Sequence, residues 1–459
     1  MSTGISKLLI ANRGEIAVRI IRAARELGIA TVQVVSTADH DMLAARMADQ
    51  VIEIGPAPAT KSYLNVERVL AALAESGADA VHPGYGFLSE NAAFARAVAA
   101  AGAVFVGPSP ETIEQMGDKA NARLSAIKAG VPVVPGSDGR IETIEVAFDV
   151  AATIGYPVMI KAAAGGGGRG IRIVRSQEEL DQALQAARAE ALAGFGDGGV
   201  YIEAYIENAR HIEVQILGDG ETFVHLHERE CSIQRRRQKV WEEAPAAMLP
   251  ADLRAELCAS AVRLAASVGY SGAGTLEYLY DAHRNAFYFI EMNTRIQVEH
   301  PVTEMISGID IVREMLLIAG GAKLGLRQED IRINGHAIEI RINAEDPSRS
   351  FFPSPGRIEE IVVPEGSGLR FDTGIYAGYT VPAFYDSLLG KLVAWGQDRP
   401  AAIERLKQAL DATFVGPKPT TLSLHRMLVR DPDVISGAVS TQWLEDWIAR
   451  APRFGQPTS

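Results

Sequence analysis

The sequence predicts a soluble protein of mixed class, α/β at its N-terminus and α+β beyond, divided into two to four domains. Three observations carry that expectation. From Leu8 to Val106, short apolar runs alternate with segments of helical periodicity. From Glu213 onward, hairpin-like runs replace that alternation. And 459 residues at 47% hydrophobic content supply core for several domains at roughly 100–200 residues each.

Leu8 to Ala11 reads as the first strand and Asn12-Arg13-Gly14 as a turn, after which Ile16, Ile20, Ala24 and Leu27 recur at helical spacing before Gly28. Val32 to Val35 is the next strand. Val66, Val69, Leu70 and Leu73 share a helix face, Ala80-Val81 is strand-like, Phe94, Ala97, Val98 and Ala101 mark another helix, and Val104 to Val106 another strand. Such alternation builds a parallel sheet covered on both faces. The first turn lacks the second glycine of GxGxxG, so a plain βαβ scaffold is preferred there to a dinucleotide site. Stretches rich in Pro, Gly and Ser at Pro108 to Pro110 and Val131 to Gly139 mark boundaries, and Val133 to Ile206 is a candidate small domain. Glu213 to Asp281 and Ala286 to Asn343 read as strands joined by short helices, and Pro400 to Arg450 as mostly helical.

With 45 Lys+Arg against 57 Asp+Glu the net charge is −12, which excludes a bulk nucleic-acid binder. No apolar run reaches the ~18 residues of a membrane span. Cys231 and Cys258 have no metal-like spacing and read as free thiols of a reducing, cytoplasmic compartment. None of the ten methionines precedes a lysine, so no Ala-Met-Lys-Met-type segment offers a place to attach a prosthetic group.

The chemistry concentrates in a few segments. Pro157 to Ala162 is a strand that contains Lys161 and leads into Gly165-Gly166-Gly167-Gly168-Arg169-Gly170, a formal GxGxxG. Gly170 to Val174 then alternates with period two, so the glycines join an antiparallel hairpin instead of opening a helix. Such a loop either covers a nucleotide's phosphates with bare N–H groups or is a loose surface turn; the neighbouring Lys161 favours the first. Gly274 to Tyr280 and Phe287 to Asn293 pair about a polar loop, setting Glu277 near Glu291 and placing Glu291 and Asn293 on one face. Inward carboxylates of this kind suit Mg²⁺ on a triphosphate, though an ordinary hairpin with two solvated glutamates fits the hairpin equally.

The continuation decides between them: if the chain stays extended, Arg295, Gln297 and Glu299 keep phase with that face. They would then form a compact oxyanion site, Arg295 holding the anion and Glu299 taking a proton. Arg341, opposite the apolar set Ile338, Ile340 and Ile342, is either a second anion clamp or a solvated edge residue. The basic run Gln234 to Lys239 reads as an anion-handling loop or a solvated charged loop. His82 to Phe87 ends a strand where open α/β sheets place ligands.

The stretches IANRGEIAVRI, HPGYGFLSEN, GDK at Gly117 to Lys119, IKAAAGGGGRG, RHIEVQ, ECSIQRRRQKVWEEAPA, IEMNTRIQVEHPVTE, HAIEIRINAED and YDSLLGKL together resemble the biotin carboxylase family of the ATP-grasp superfamily, in family order over nearly the whole chain. The resemblance implies an ATP-grasp fold with an N-terminal Rossmann-like parallel-sheet domain at residues 1–116. An ATP-grasp domain at 117–332 would include a small mobile lid at about 133–206, and a mixed C-terminal domain would occupy 333–450. It implies that Lys119, Lys161, Gly167, Gly168, Glu203, Ile206, His211, Gln234, Glu277 and Glu291 bind ATP, and that Glu277, Glu291 and Asn293 surround two Mg²⁺ or Mn²⁺ ions. Lys239, Arg295, Gln297 and Val298 would hold bicarbonate, Glu299 would deprotonate it, and Arg341 would stabilise the biotin enolate, with Tyr85 bordering the biotin. Two positions depart from the family's usual residues: Ala204 stands where Lys is usual, and Arg237 where His is frequent.

The implied activity is ATP-dependent carboxylation of biotin through carboxyphosphate, the first half-reaction of acetyl-CoA carboxylase. Because the chain has no attachment segment, biotin would arrive on a separate carrier protein. Carboxyltransferase subunits and a second copy of the chain are the other implied partners. The competing readings are the corresponding subunit of another acyl-CoA, urea or 2-oxo acid carboxylase, a different ATP-grasp ligase, and a nucleotide-binding scaffold without catalysis.

Overall fold

A computed structural model describes residues 4–162 and 171–450. The chain opens with β1 (Lys7–Ile10), α1 (Gly14–Glu26), β2 (Ala30–Val35), β3 (Gln50–Glu53), a helix at Val66–Ser76, β4 (Ala80–His82), a helix at Ala92–Ala100 and β5 (Val104–Phe105). The five strands form a parallel sheet in the order β3-β2-β1-β4-β5. Leu8, Leu9 and Ile10 have no exposed surface, as expected for a strand covered on both faces. Asn65 and Asn91 cap the two helices by accepting the Arg68 and Phe94 backbone N–H groups, so their starts follow directly from local sequence.

The chain divides into two compact units. The smaller comprises Pro132–Ala209 with Leu279–Ile290, and the rest forms the larger. Within the smaller, β6 (Val158–Ala162), β7 (Ile171–Val174) and β8 (Val200–Ala204) make an antiparallel sheet in the order β7-β6-β8. Ala147 and Ala151 of the helix Ile144–Ile154, and Leu180, Leu184 and Ala187 of the helix Gln177–Phe195, share one core with Val158, Ile160, Val174, Val200 and Ile202. The hairpin expected around the glycine run is present in its two strands, with Lys161 opposite Ile171; Gly167 and Gly168 lie outside the described residues.

The chain also forms an eight-stranded sheet. Its members are β9 (Arg210–Asp219), β10 (Phe223–Arg235), β11 (Gln238–Ala244), β12 (Ser271–Asp281), β13 (Ala286–Asn293), β14 (His336–Asn343), β15 (Leu369–Thr373) and β16 (Leu388–Gly396), in the order β13-β12-β9-β10-β11-β14-β16-β15. The connections among them are not all short, contrary to expectation: α2 (Ala251–Ser267) has 17 residues and buries Leu257, Ala261 and Leu264. Gln215, Arg229, Glu242 and Glu339 are fully buried on these strands, so the polar face of the sheet lies inside the protein. Buried polar groups usually have partners: Arg229 donates to Gln215 Oε1 at 2.9 Å and Glu242 accepts from Arg341 Nε at 2.6 Å, whereas neither Glu339 oxygen has a hydrogen-bond partner among the described residues.

Candidate active site

The site is assembled on the middle of the large sheet. On β9, period two sets His211, Glu213 and Gln215 on one face, and all three are buried. Arg229 of β10, with no exposed surface, donates to Glu213 Oε2 at 2.9 Å, Gln215 Oε1 at 2.9 Å and Thr275 Oγ1 at 2.9 Å. It also donates to Gln297 Oε1 at 2.5 Å, which joins three strands to the segment after β13. Lys239 enters from β11 and hydrogen-bonds Glu213, Glu277 Oε1 at 3.2 Å and Glu299 Oε1 at 2.6 Å. Burial disfavours its ammonium, but the charges of Glu213, Glu277 and Glu299 outweigh that and hold its pKa well above the usual value.

The segment after Asn293 departs from expectation. It does not stay extended: it bends at Thr294 and Arg295, turns at Val298 and Glu299, and enters α3 (His300–Ser307). Strand phase therefore cannot be what aligns Arg295, Gln297 and Glu299. The turn does it, with Gln297 Nε2 donating to Glu277 Oε1 at 2.7 Å and Glu299 standing at the helix cap. Glu299 is 2% exposed, and its second oxygen accepts from Arg341 Nη2 at 2.9 Å. Burial would raise its pKa, yet Lys239 and Arg341 pull it below the usual carboxylate range, so it is ionised.

Arg341 is no solvated edge residue either. β14 runs between β11 and β16, and Arg341 Nε donates to Glu242 Oε1 at 2.6 Å. Burial, opposed by Arg341, pushes the Glu242 carboxyl up to about 7. Arg295 points its donors at Glu90 Oε2 (3.0 Å), Asn293 Oδ1 (2.9 Å) and the Ile296 carbonyl (3.1 Å). Beside Arg341 a small cavity is lined by Arg235, Gln238, Lys239, Asn343 and His425.

The expected metal ligands come together in part. Asn293 Nδ2 donates to Glu277 Oε1 at 2.8 Å, and His211 Nε2 lies 3.0 Å from Glu277 Oε2. Burial and then the Glu277 charge raise the Glu291 pKa, the signature of two carboxylates crowding one place. A divalent cation relieves that repulsion, and two carboxylates are hard-oxygen donors of the kind Mg²⁺ requires; the Asn293 amide turns its nitrogen to Glu277 and its oxygen to Arg295. His211 is pushed up to about 9: burial opposes its charge, but Glu277 and Glu213 prevail.

The remaining expected residues fall as follows. Tyr85 donates its hydroxyl to Glu15, and Asn12 Nδ2 fixes the loop around it by donating to the Pro83 and Tyr85 carbonyls, both at 2.7 Å. Gly84 takes φ +62°, and a Cβ there would come within 2.9 Å of Asn12 Nδ2, so only glycine fits. Arg341's charge acts on Tyr85, which places the two in one neighbourhood. Gln234 lies opposite Lys239 on the β10–β11 hairpin. Lys119 begins the helix Lys119–Lys128, and its charge acts on Glu291. In the small unit, Lys161 pairs with Glu203, and Ile206 is buried.

Sequence reasoning missed Arg229, Glu213, Gln215 and Glu242. Glu213 and Gln215 had a signal: Arg210-His211-Ile212-Glu213-Val214-Gln215 alternates polar and apolar beside a β-branched background, as a strand with a buried polar face does. Glu242 had none, since only the β11–β14 pairing brings it to Arg341.

The fold and this arrangement of carboxylates, lysines and arginines define a ligase of the ATP-grasp class. The family description "Biotin carboxylase, N-terminal domain" matches residues 4–113, "Carbamoyl-phosphate synthase L chain, ATP binding domain" residues 118–327, and "Biotin carboxylase C-terminal domain" residues 339–446. A biotin carboxylase of Pseudomonas aeruginosa is 52% identical over 443 residues, covering 96% of this chain and 98% of its own. The crystal structure of a biotin carboxylase complex with β,γ-ATP from Campylobacter jejuni superposes with a TM-score of 0.90 at 48% identity, over 96% of this chain and 99% of that one. The biotin carboxylase domain of Hydrogenobacter thermophilus 2-oxoglutarate carboxylase, a dimer with MgADP, ADP and bicarbonate, superposes at 0.88 with 46% identity, over 98% and 99%. The chain belongs to the biotin carboxylase family.

Proposed function

We propose that the chain carboxylates biotin carried on a separate biotin carboxyl carrier protein, as the biotin carboxylase subunit of acetyl-CoA carboxylase. The observation that carries this reading is the Glu299 carboxylate, ionised and buried between Lys239 and Arg341, its charge also acting on Arg295. A carboxylate so placed can take the bicarbonate proton while neighbouring cations hold the resulting dianion. The freed oxygen then attacks the γ-phosphate of ATP, forming carboxyphosphate and ADP. Carboxyphosphate breaks into CO₂ and phosphate. That phosphate accepts the ureido N–H proton of biotin, and the enolate, its charge facing Arg341, adds to CO₂.

Lys119, Lys161, Gly167, Gly168, Glu203, Ile206, His211 and Gln234 are assigned to ATP. Lys239, Arg295, Gln297 and Val298 are assigned to bicarbonate, and Tyr85 and Arg341 to biotin. Glu277, Glu291 and Asn293 would hold two Mg²⁺ or Mn²⁺ ions, which supply positive charge to the triphosphate. The division into domains at 1–116, 117–332 and 333–450 belongs to the same proposal. So do a homodimer, carboxyltransferase partners and a cytoplasmic location, to which the two buried free thiols, Cys231 and Cys258, are suited. Membership of acetyl-CoA carboxylase is supported by curated relatives named as biotin carboxylases of almost the same length as this chain. A 2-oxo acid carboxylase is the second reading, favoured by the Hydrogenobacter neighbour.

The test is ADP release. It should require bicarbonate and rise with free biotin, and Glu299→Gln should depress it about 10²–10⁴-fold while nucleotide binding persists. Release indifferent to biotin would overturn the reading. Carboxyltransferase subunits that co-purify with the chain, assayed on acetyl-CoA and on 2-oxo acids, separate the two carboxylases.

A further inference from the structure

Lys391 lies on β16 with none of its surface exposed, and the chemistry above does not use it. A lysine at that depth needs partners, because burial disfavours an ammonium. Its Nζ donates to the Val298 carbonyl at 2.7 Å and lies 3.1 Å from Glu15 Oε1. Glu15, 4% exposed in the first turn of α1, accepts the Tyr85 hydroxyl on that same oxygen. Across the sheet Asp372 of β15 stands opposite Lys391.

The carbonyl that Lys391 holds belongs to the peptide joining Val298 to Glu299. Fixing a planar peptide fixes ψ of the residue before it and φ of the residue after it, so this contact aims the Glu299 side chain. Lys391 is also the direct cross-strand partner of Arg341, and directly opposed residues project from the same face. One cation of the rung therefore holds the Glu299 carboxylate and the other holds its backbone.

We propose that Lys391 is a positioning residue for the Glu299 base: it locks the Val298–Glu299 turn, and Glu15 shares it with Tyr85, so that the turn and the tyrosine are held as one assembly. The inference rests on the function proposed above. In the full-length protein, Lys391→Met should raise KM for bicarbonate about tenfold or more and lower kcat, with KM for ATP changed less than about twofold, since small misplacements of a reacting group cost up to about 10² in rate. That variant also leaves Glu15 buried without its cation, so it is paired with Lys391→Met/Glu15→Gln, in which the stranded charge is gone. The double variant should recover thermal stability and keep the bicarbonate defect. A bicarbonate KM that returns to the wild-type value as stability returns would make Lys391 a structural charge only and overturn the proposal. Wild-type protein without bicarbonate-dependent ADP release would overturn the function and this inference together.

Discussion

In the role proposed for it, Glu299 meets a conflicting demand: it must be ionised to act as a base, yet sufficiently proton-hungry to take a proton from bicarbonate. Lys239 and Arg341 secure the first by offsetting burial. Under that proposal, bicarbonate drawing those donors toward its own oxygens would strip the carboxylate of part of that stabilisation and raise its proton affinity at the step that needs it. His82 presents a simpler balance, set at the end of β4 beneath the Tyr85 loop. Its Nδ1 accepts the Gly84 N–H at 3.0 Å, and burial, then the Arg19 charge, hold its pKa down at about 3. Between that value and the ordinary ~6.5 the unfolded chain binds more protons than the folded one. Stability from His82 is thus complete above about pH 6.5 and is lost as pH falls toward 3, by about 2 kcal/mol at pH 5. His82→Asn keeps an acceptor for Gly84 but cannot titrate. Denaturant unfolding at pH 7 and pH 5 should show a smaller acid loss in the variant than in wild type, and equal losses would refute the assignment.

The β10–β11 hairpin shows how an element carries strain to the place of chemistry. Arg235 pairs with Gln238, so the turn has two residues, Arg236 and Arg237, at φ +48° and +65°. Two-residue hairpins favour this geometry because it matches strand twist, but they favour Asn-Gly in it. Replacing Arg236-Arg237 by Asn-Gly should stabilise the protein by about 1 kcal/mol, read as a thermal midpoint higher by roughly one to two degrees. An unchanged or lower midpoint would mean that the arginine side chains contribute more than the backbone strain costs. The hairpin also marks the boundary of what sequence conveys. Leu8 to Val106 was legible as a parallel βαβ sheet because its periods of two and 3.6 are local. The proximity of Glu277 to Glu291 was legible from a single short loop, and the Glu277 charge does act on Glu291. What failed was non-local. Nothing near Arg341 announces that Glu242, 99 positions away, and Glu299, 42 positions away, will accept its donors. The run after Asn293 keeps its alternation on paper, but Gln297 turns inward to bridge Arg229 and Glu277, and that pull bends the chain out of the strand.

At the scale of the whole molecule, a net charge of −12 gives anionic substrates an unfavourable field, so under the proposed function their binding would fall to local groups such as Lys239, Arg295 and Arg341 and to metal ions. No described helix is long and apolar enough to cross a membrane. Division into two units has a mechanical consequence, because each has a hydrophobic core of its own. Ile160, at the centre of β6 between Arg172 and Ile202, has no exposed surface and packs only within the small unit's core. Truncating it to alanine should cost about 2–5 kcal/mol through lost burial and the cavity left behind. Stability in large proteins is distributed among units that open separately. Amide hydrogen exchange of Ile160→Ala should therefore lose protection in residues 132–209 and 279–290, while β1, β4 and β14 keep theirs. Loss of protection spread evenly over both units would mean that the chain unfolds as one cooperative body.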